Sequence, residues 1–493
     1  MTLNRTEPRF GFLYTLTIGA CLVMVGLFAG LIPTGHWQDE FFTFAAFRKG
    51  GLHFYIERLV TWSPRPVSEF LIYVYSRVVE KSNRPLITPV LALLWLTLLA
   101  GTFYPVVRSG SIGKPAQRVM LAIAMGTLTL FLLGHPVSEV FYWPQGSMAY
   151  LPTLAVFALL FGLFLVGVDT PPQRALCAAA LVLAATSSEL GAMFVAAFAG
   201  MHFILRLVGV GLQPGSMIHR LLTRAMIPWF MPLVVAAAVF VLMKSGRLNS
   251  AAEVFGDPAI AHHIGIGLMH AVPQYLIEII ALDGQTLNSR NIWLGAVAKA
   301  CYFAAVYVGV KSVRGSLKPT GAVQLLIFLI AIAAAAFMSL FGAFYQFGVV
   351  CCERHDTMRQ CMSILLLGSV AALFARAGRA RPAQEFEEEN RGLTSQWFSA
   401  LILCAVLVSS LTSAKLLAND YRRYGQFLAS RSQTWASGLA SAPAMVVTQV
   451  TPGLVIGGVV RPAGDYVRTD ETPWFLAGIL DFFNKKSMTL TNP

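Results

Sequence analysis

In GLIPTGHWQDEFFTFAAF (residues 30–47), the chain changes from an apolar run to a segment with charged and aromatic residues. Before it, residues 10–32 are almost entirely apolar, and such a run is long enough to cross about 30 Å of hydrocarbon as a helix. The run exceeds a typical signal-peptide core and has no clear small-x-small cleavage site, so we interpret it as a retained first membrane span. Two carboxylates, Asp39 and Glu40, follow it between aromatic residues. An acidic pair at the end of a span needs a physical reason, because charged groups beside lipid are costly.

The composition is that of a membrane protein. The 493 residues are 56% hydrophobic and 12% charged, with a mean hydropathy of +0.64, whereas soluble domains carry about twice that charged fraction. The net charge of +13 is better explained by basic loops facing lipid headgroups than by nucleic-acid binding. The seven cysteines show no metal-ligand spacing. The chain is therefore predicted to be an all-α polytopic membrane protein.

Eleven apolar segments predict membrane spans, and the loops between them predict the orientation. Four loops that contain Lys or Arg fall on one side of the membrane if the N-terminus does, which satisfies the positive-inside rule. The N-terminus is therefore expected in the cytoplasm and the C-terminus on the opposite face. The predicted spans cover residues 11–32, 86–107, 119–134, 148–168, 174–188, 189–209, 225–243, 291–310, 322–345, 360–375 and 396–416.

Three segments at the predicted outer face have a distinct character. The first outer loop, residues 33–85, mixes aromatic and cationic residues in the way that interfacial helices do. The segment IGIGLMHAVPQYLIEIIALDG is either another interfacial helix or a further span, and the charge pattern favours the interface. Residues 417–493 are rich in β-branched residues with Gly and Pro breaks. They predict a small α/β appendage after a transmembrane module that covers residues 1–416.

Ionisable residues are concentrated at the predicted outer ends of the spans. Because charges in or beside lipid are costly, they usually line a water-filled cavity or a site. Structural explanations also exist: an acidic pair can cap a helix, Lys299 can snorkel or pair with a carboxylate, and Trp143 and Tyr150 can be interfacial aromatics. Lys299 falls within a span, whereas the residues on the shared face are Asp39, Glu40, Arg65, Glu69, Glu139, Glu189, Glu353, Arg354, His355 and Asp356.

A cavity lined by carboxylates and cations at a membrane face suits a reaction between a lipid phosphate and a polar acceptor. A carboxylate can take the proton from an attacking hydroxyl. Arg, His or Lys can hold a phosphate and neutralise the charge that develops on it as it leaves. No Ser-His-Asp order, Gly-rich phosphate loop or zinc spacing competes with this interpretation.

The order of these motifs resembles the GT-C superfamily of membrane glycosyltransferases. That superfamily has one long span with an acidic pair at its outer end, then a large first outer loop with interfacial helices, then a polytopic bundle. More closely, the chain is similar to a group of bacterial proteins related to O-antigen glucosyltransferases. The motifs that carry this similarity are WQDEFF, SPRPVSEF, EVFYWPQGSMAYLP, SSELG, ERH and PWFLAGILDFFNKKSM.

The resemblance implies an enzyme of the bacterial inner membrane. It would transfer a sugar from a polyprenyl-phosphate donor to a hydroxyl of a cell-envelope glycan, such as lipopolysaccharide, at the periplasmic face and with inversion. Asp39 or Glu40 would be catalytic. Some members of the superfamily use a divalent metal, but without a second acidic cluster we expect no metal and no other cofactor. The candidate donor-phosphate residues are Arg354, His355, Arg65 and Lys299, and the candidate substrate residues are Glu69, Glu139, Trp143, Gln145, Tyr150 and Glu189.

Two other functions stay open at the level of the sequence. A transporter or flippase for a lipid-linked or anionic solute often has repeat-related halves with broken helices at the midplane, and the sequence shows no such halves. The depth of Glu189 and Lys299 in the structure distinguishes transport from glycosyl transfer. If the two residues pair at the membrane midplane, transport is favoured; if they line a cavity open to the outer face, transfer is favoured. The other alternative is an outer-face polymer enzyme such as an O-antigen ligase or polymerase. Ligases typically depend on a large later loop, whereas the first loop dominates here.

Overall fold

A computed structural model of the chain shows a bundle of helices with one small sheet. The residues that it describes are 11–37, 40–134, 136–167, 170–207, 227–247, 257, 259–282, 289–313, 317–318, 320–350, 352–377, 387–457 and 461–491. The helices are α1 (Phe12–Gly30), α2 (Glu40–Thr61), α3 (Pro66–Ser82), α4 (Ile87–Ser109), α5 (Lys114–Leu133), α6 (Ser138–Phe141), α7 (Pro144–Val166), α8 (Pro171–Ser187), α9 (Glu189–Leu207), α10 (Ile227–Arg247), α11 (Ile264–Ile280), α12 (Ser289–Ser312), α13 (Thr320–Phe347), α14 (Glu353–Ala377), α15 (Glu387–Leu439) and α16 (Trp474–Phe483). The strands are β1 (Ala444–Thr448), β2 (Gly464–Val467) and β3 (Ser487–Thr491).

Eight of the described helices are long and apolar enough to cross a membrane: α1, α4, α5, α7, α12, α13, α14 and α15. Each coincides with a span predicted from the sequence. The predicted spans near 174–188, 189–209 and 225–243 coincide with α8, α9 and α10, whose described apolar stretches are shorter. The chain therefore has the architecture of a mainly helical, multi-pass membrane protein.

Helix α7 lies at the centre of the bundle, with every residue buried. Small residues let neighbouring helices approach closely, as is common between membrane helices. A Cβ added to Gly101 of α4 would lie 2.4 Å from the carbonyl oxygen of Ala155, and one added to Gly162 of α7 would lie 2.6 Å from the ring of Pro105. Larger side chains at either glycine would therefore push α4 away from α7.

Helices α2 and α3 form the loop that the sequence assigned to the outer face. Helix α2 bends at Gly51, whose φ of +54° lies in the left-handed region that favours glycine. Glu69 in the first turn of α3 accepts two hydrogen bonds from Arg58, at 2.6 and 3.2 Å. Both helices also expose apolar residues, in the way that interfacial helices do. These residues are Leu52, Ile56, Val60, Phe70, Val74 and Val78.

Helix α11 runs antiparallel along α13 and not across the end of the bundle. Near its start, a Cβ added to Gly267 would lie 3.6 Å from the backbone nitrogen of Tyr345. About two turns later, the hydroxyl of Tyr275 donates to the carbonyl oxygen of Ala333 at 3.2 Å. The sequence favoured an interfacial position for this segment. In the structure, α11 packs lengthwise along α13, which is long and apolar enough to cross a membrane, and it ends close to the middle of α13.

Four buried charged residues surround the end of α11. Arg359 donates to both carboxylate oxygens of Glu278, at 2.7 and 3.1 Å, and lies 3.7 Å from Asp356. The Lys299 ammonium donates to the carbonyl oxygens of Glu278 and Ala281, at 2.8 and 2.6 Å. A cation placed there satisfies the last carbonyls of a helix and complements its dipole. Each of the four charged residues is at most 3% exposed, so two cations balance two carboxylates inside the bundle.

The residues after α15 form a small unit of sheet and helix. Strand β1 pairs in parallel with β3, and β2 pairs antiparallel with β3, so the order is β1-β3-β2. Helix α15 continues to Leu439 without interruption, so the boundary that the sequence placed between residues 416 and 417 falls inside it. Asp420 on this helix accepts a hydrogen bond from the backbone N–H of Val455 at 2.8 Å. This contact fastens the C-terminal residues to the helix that leads to them.

We expect Lys299→Met to destabilise the protein by about 3 kcal/mol. The substitution removes a buried cation that caps α11 and leaves carbonyl oxygens and a carboxylate uncompensated in the bundle interior. Thermal unfolding in detergent, followed by tryptophan fluorescence, measures the effect. Lys311→Met is the matched control, because Lys311 is exposed at the other end of α12. Equal melting temperatures for both variants would contradict the capping role of Lys299.

Candidate functional site

The first two turns of α7 form the centre of the candidate site. Pro144 is the first helical residue, a position that suits its fixed φ and missing N–H. The short helix α6 packs directly on this turn, since a Cβ added to Gly146 would lie 2.2 Å from the carbonyl oxygen of Glu139 and 2.6 Å from the Trp143 ring. Glycine at this position therefore lets the chain fold back tightly, which places Glu139 beside the start of α7.

One buried ion pair lies at the end of these two turns that carries Tyr150. The Nε of Arg65, just before α3, donates to Oε2 of Glu189, the first residue of α9, at 2.6 Å. The Arg65 guanidinium also lies over the ring of Tyr150, 5.4 Å from its centroid. Burial by itself lowers the pKa of Arg65, but Glu189, Tyr150 and Glu69 together outweigh this effect and raise the pKa above its ordinary value. Arg65 is thus a fixed cation.

A second ion pair of the same kind lies at the start of α7, beside Trp143. The Nη1 of Arg354 and its backbone N–H both donate to Oε2 of Glu139, at 3.2 and 3.1 Å. The guanidinium lies 5.5 Å from the ring centroid of Trp143. The Arg354 side chain is 25% exposed, against 12% for Arg65. The side of the site that carries Arg354 and Trp143 is therefore more open to solvent than the side that carries Arg65.

Tyr150 links the two ion pairs. Its hydroxyl lies 2.9 Å from Nε2 of His355, and the two rings meet edge to face. Its ring lies under Arg65, while His355 directly follows Arg354 on α14. One continuous set of contacts thus joins α3, α7, α9 and α14.

Glu40 is the first residue of α2, and its carboxylate contacts the first turn of α7. It is fully buried, and its carboxylate accepts hydrogen bonds from the Tyr75 hydroxyl at 3.2 Å and from the backbone N–H of Gln145 at 3.3 Å. Burial and the Glu40 carboxylate raise the pKa of Tyr75 well above its ordinary value, so the hydroxyl remains a donor. Glu40 therefore satisfies an N–H in the first turn of α7. The other member of the acidic pair, Asp39, lies outside the described residues.

Three polar groups on the first turns of α7 have no hydrogen-bond partner among the described residues: Nε1 of Trp143, Nε2 of Gln145 and Oγ of Ser147. Their residues are 6%, 5% and 0% exposed. Trp143, Ser147 and Tyr150 are spaced so that they share one face of α7. Buried polar groups are normally satisfied, so the unsatisfied groups of Trp143 and Ser147, on the face between the two arginines, are expected to meet a polar ligand. The Gln145 side chain is turned towards α2, where its Oε1 accepts from the Thr43 hydroxyl at 3.3 Å.

Two of the predicted site residues have different partners. Lys299 is engaged at the end of α11 and also donates to Oε1 of Gln360 at 3.0 Å and to Oγ of Ser363 at 2.9 Å. Glu69 forms its ion pair with Arg58. The other described candidates are brought together around the start of α7, namely Glu40, Arg65, Glu139, Trp143, Gln145, Tyr150, Glu189, Arg354 and His355.

Some residues of the site were not singled out in the sequence. Tyr75 has no signal beyond its place on an amphipathic helix, because its role depends on the approach of α3 to the start of α2. Ser147 lies inside a quoted motif, where its spacing from Trp143 and Tyr150 is the available signal. Cys352, just before α14, is disulfide-bonded, which the sequence did not suggest. The neighbouring Cys351 lies outside the described residues.

The described residues contain no group of three or more His, Cys, Asp or Glu side chains arranged to hold a metal ion. Asp39 is among the residues not covered by this statement. The expectation of a metal-independent site therefore stays a prediction.

The family resemblance rests on the sequence motifs alone, because comparison with known proteins found no match. No protein-family model matches the chain, and neither a curated protein nor a solved structure is detectably similar to it.

We expect His36 to make the folded protein less stable as the pH falls. Burial lowers the pKa of His36 to about 4 from an ordinary 6.5, although a hydrogen bond with the Ser138 carbonyl and the charge of Glu139 oppose this effect. The folded state therefore favours the neutral ring. The stabilisation is complete above pH 6.5, and is lost as the pH falls towards 4, by about 2 kcal/mol at pH 5.

Melting temperatures in detergent between pH 7.5 and 5 measure this dependence. Wild type should lose stability more steeply than His36→Gln, which cannot be protonated. His53→Gln is the control, because His53 is exposed on α2, and it should keep the wild-type slope. Parallel curves for wild type and His36→Gln would show that His36 is not responsible.

Proposed function

We propose that this chain is a glycosyltransferase of the bacterial inner membrane. In this proposal it moves a sugar from a polyprenyl-phosphate donor to a hydroxyl of a cell-envelope glycan at the periplasmic face, with inversion and without a metal. The observation that carries the proposal is the face of α7 between Arg65 and Arg354, with its buried, unsatisfied polar groups. The GT-C-like order of motifs supplies the reaction class.

Arg354, Arg65 and His355 are the proposed partners of the donor phosphate. Each arginine side chain donates to a glutamate that keeps it in place, and the planar guanidinium presents its N–H donors in a geometry that suits phosphate oxygens. A buried cation would also stabilise the negative charge on the leaving phosphate more strongly than a solvated one would. Lys299 is not part of this proposed set, because protein acceptors surround its ammonium.

The sugar and acceptor would contact the face of α7 between the arginines. On this face Trp143 offers an indole N–H and Ser147 a hydroxyl, and Gln145 offers an amide N–H on the side turned towards α2; all three suit sugar hydroxyl groups. In the proposed step, the acceptor oxygen attacks the anomeric carbon as the bond to the phosphate oxygen breaks. The electron pair leaves with the phosphate, and the acceptor proton passes to a carboxylate.

Asp39 is the proposed proton acceptor, and Glu40 is a positioning residue. Both oxygens of Glu40 already accept hydrogen bonds from Tyr75 and Gln145, without exposure to solvent. A carboxylate held in this way orients the chain but is poorly placed to reach an external hydroxyl. Its neighbour Asp39 would then act on the acceptor.

Transport is the second candidate, and one observation favours it. Lys299 lies near the middle of α12 and caps a helix that ends inside the bundle, a feature that recurs at transporter midplane sites. However, the Lys299 ammonium is surrounded by four protein acceptors. Glu189 pairs with Arg65 where α8 gives way to α9, at a helix end. Transfer therefore accounts for more of the buried polar residues than transport does.

We expect Asp39→Asn to reduce transfer about 10²- to 10⁴-fold, because it removes the general base. Glu40→Gln should keep activity within about 10-fold. Its amide oxygen can still accept from the Gln145 N–H, and its amide nitrogen can donate to the Tyr75 oxygen. The control is Asp470→Asn, an exposed carboxylate of the C-terminal unit, which should match wild type.

The measurement is the lipid-linked sugar and surface-glycan profile of a deletion strain complemented with each variant. Loss of one glycan substituent, with accumulation of its polyprenyl-phosphate donor, is the expected phenotype of the deletion and of Asp39→Asn. Full activity of Asp39→Asn would overturn the proposed base. An unchanged glycan profile in the deletion strain, together with altered uptake of an anionic or lipid-linked solute, would favour transport.

A further inference from the structure

The C-terminal part of the chain contacts both ends of the short segment that carries the acidic pair. Before Asp39, the Nη1 of Arg431 donates to the carbonyl oxygen of Gly35 at 2.8 Å. The ring of Trp435 stacks on that of Trp37, with centroids 5.7 Å apart and an interplanar angle of 25°. Both Arg431 and Trp435 belong to the part of α15 that extends towards the C-terminal unit.

The residue between these contacts, His36, is held by a tight backbone approach. A Cβ added to Gly457 would lie 2.5 Å from Nε2 of His36, so only glycine fits there without displacing the ring. Asp420 on α15 fixes the preceding residues by accepting the Val455 N–H. The same nitrogen, Nε2 of His36, lies 3.1 Å from the carbonyl oxygen of Ser138. His36 is thus enclosed between α6 and the C-terminal chain.

After Asp39, the start of α2 is covered by α16. A Cβ added to Gly478 of α16 would lie 2.6 Å from the backbone nitrogen of Phe42, so the two helices meet at backbone distance. Phe41 contacts the rings of Phe482 and Phe483, each with centroids 5.4 Å apart. Trp435 is also tied to the end of α3, because its Nε1 donates to the carbonyl oxygen of Asn83 at 2.9 Å.

We infer that the C-terminal unit and the adjoining part of α15 act as a clamp that positions the acidic pair. The inference rests on the proposed function for its catalytic consequence, but the clamp itself is a property of the chain. Arg431, Trp435 and Gly457 hold Gly35–Trp37, and α16 holds Phe41 and Phe42, so the intervening residues start and end at fixed points. Because the clamp fixes Trp37 and Phe41, it holds the described residues on both sides of Asp39 and sets how Glu40 meets the first turn of α7.

The clamp gives a role to the last turns of α15, which lead into a folded unit. Displacing a reacting group by about 1 Å can reduce a rate about 10²-fold. A clamp defect should therefore reduce kcat without changing the KM for the donor, since the proposed phosphate contacts at Arg354 and Arg65 are not touched. A defect in general stability would instead lower the amount of folded protein.

The test uses the full-length protein in nanodiscs and combines amide hydrogen exchange with transfer kinetics. Trp435→Leu removes the stacking on Trp37, whereas Trp435→Phe keeps an aromatic ring there. Gly457→Ala adds a methyl group against His36. Gly425→Ala is the matched control, since an added Cβ at Gly425 of α15 meets nothing within 4 Å.

We expect faster exchange of the amides of residues 35–44 in Trp435→Leu and Gly457→Ala, and wild-type exchange in Trp435→Phe and Gly425→Ala. The first two variants should also lose kcat roughly 10- to 100-fold at unchanged donor KM. Unchanged exchange at residues 35–44 would overturn the clamp, whatever the activity. Faster exchange with unchanged kcat, in a preparation whose wild type transfers sugar, would overturn its positioning role. Faster exchange in a chain without any transfer activity would uphold the clamp and reject the proposed function.

Discussion

The start of α7 is buried, and the arrangement of the site follows from the need to satisfy that helix end inside a membrane bundle. The first N–H groups of a helix have no partner within it, and lipid offers none. Glu40 supplies an acceptor to Gln145, and Glu139 lies beside the same turn. Carboxylates are favoured at this end because it carries the positive pole of the helix dipole. Arg65 and Arg354, each paired with a glutamate and placed over an aromatic ring, then complete a cluster that alternates in charge.

Much of this cluster could be foreseen from the sequence, but its pairings could not. Charged residues next to apolar spans stand out because few charges occur near lipid, and the order of spans places them on one face. Which charge meets which depends on how distant helices pack: Arg65 and Glu189 are 124 residues apart, and Arg354 and Glu139 are 215 apart. The choice between Asp39 and Glu40 was also beyond the sequence. Glu40 is engaged by Tyr75 and the Gln145 N–H, and these contacts depend on how α2 packs against α3 and α7.

The role of Lys299 shows a second limit of sequence patterns. A lysine inside an apolar span suggests a functional cation, and the charge pattern favoured an interfacial position for the apolar segment before it over packing along α13. In the structure, Lys299 caps that segment, and Arg359 binds Glu278 beside it. Helix α14 joins this network to the site: its first turns carry Arg354 and His355 towards α7, and Asp356 and Arg359 towards α11. Buried ion pairs are weak evidence of net stabilisation, yet losing one partner is strongly destabilising. The network is therefore best understood as a fixed support for the turn that carries Arg354.

The proposed function requires the α7 face between the two arginines to bind a phosphorylated, lipid-linked sugar. A structure of the protein in a lipid nanodisc with a non-transferable polyprenyl-phosphate sugar tests it most directly. We expect a phosphate within about 3 Å of N–H groups of Arg354 or Arg65. We also expect sugar hydroxyl groups at the unsatisfied atoms of Trp143, Gln145 and Ser147. A headgroup bound beside Lys299 and Glu278, with this face of α7 unliganded, would contradict the proposed function.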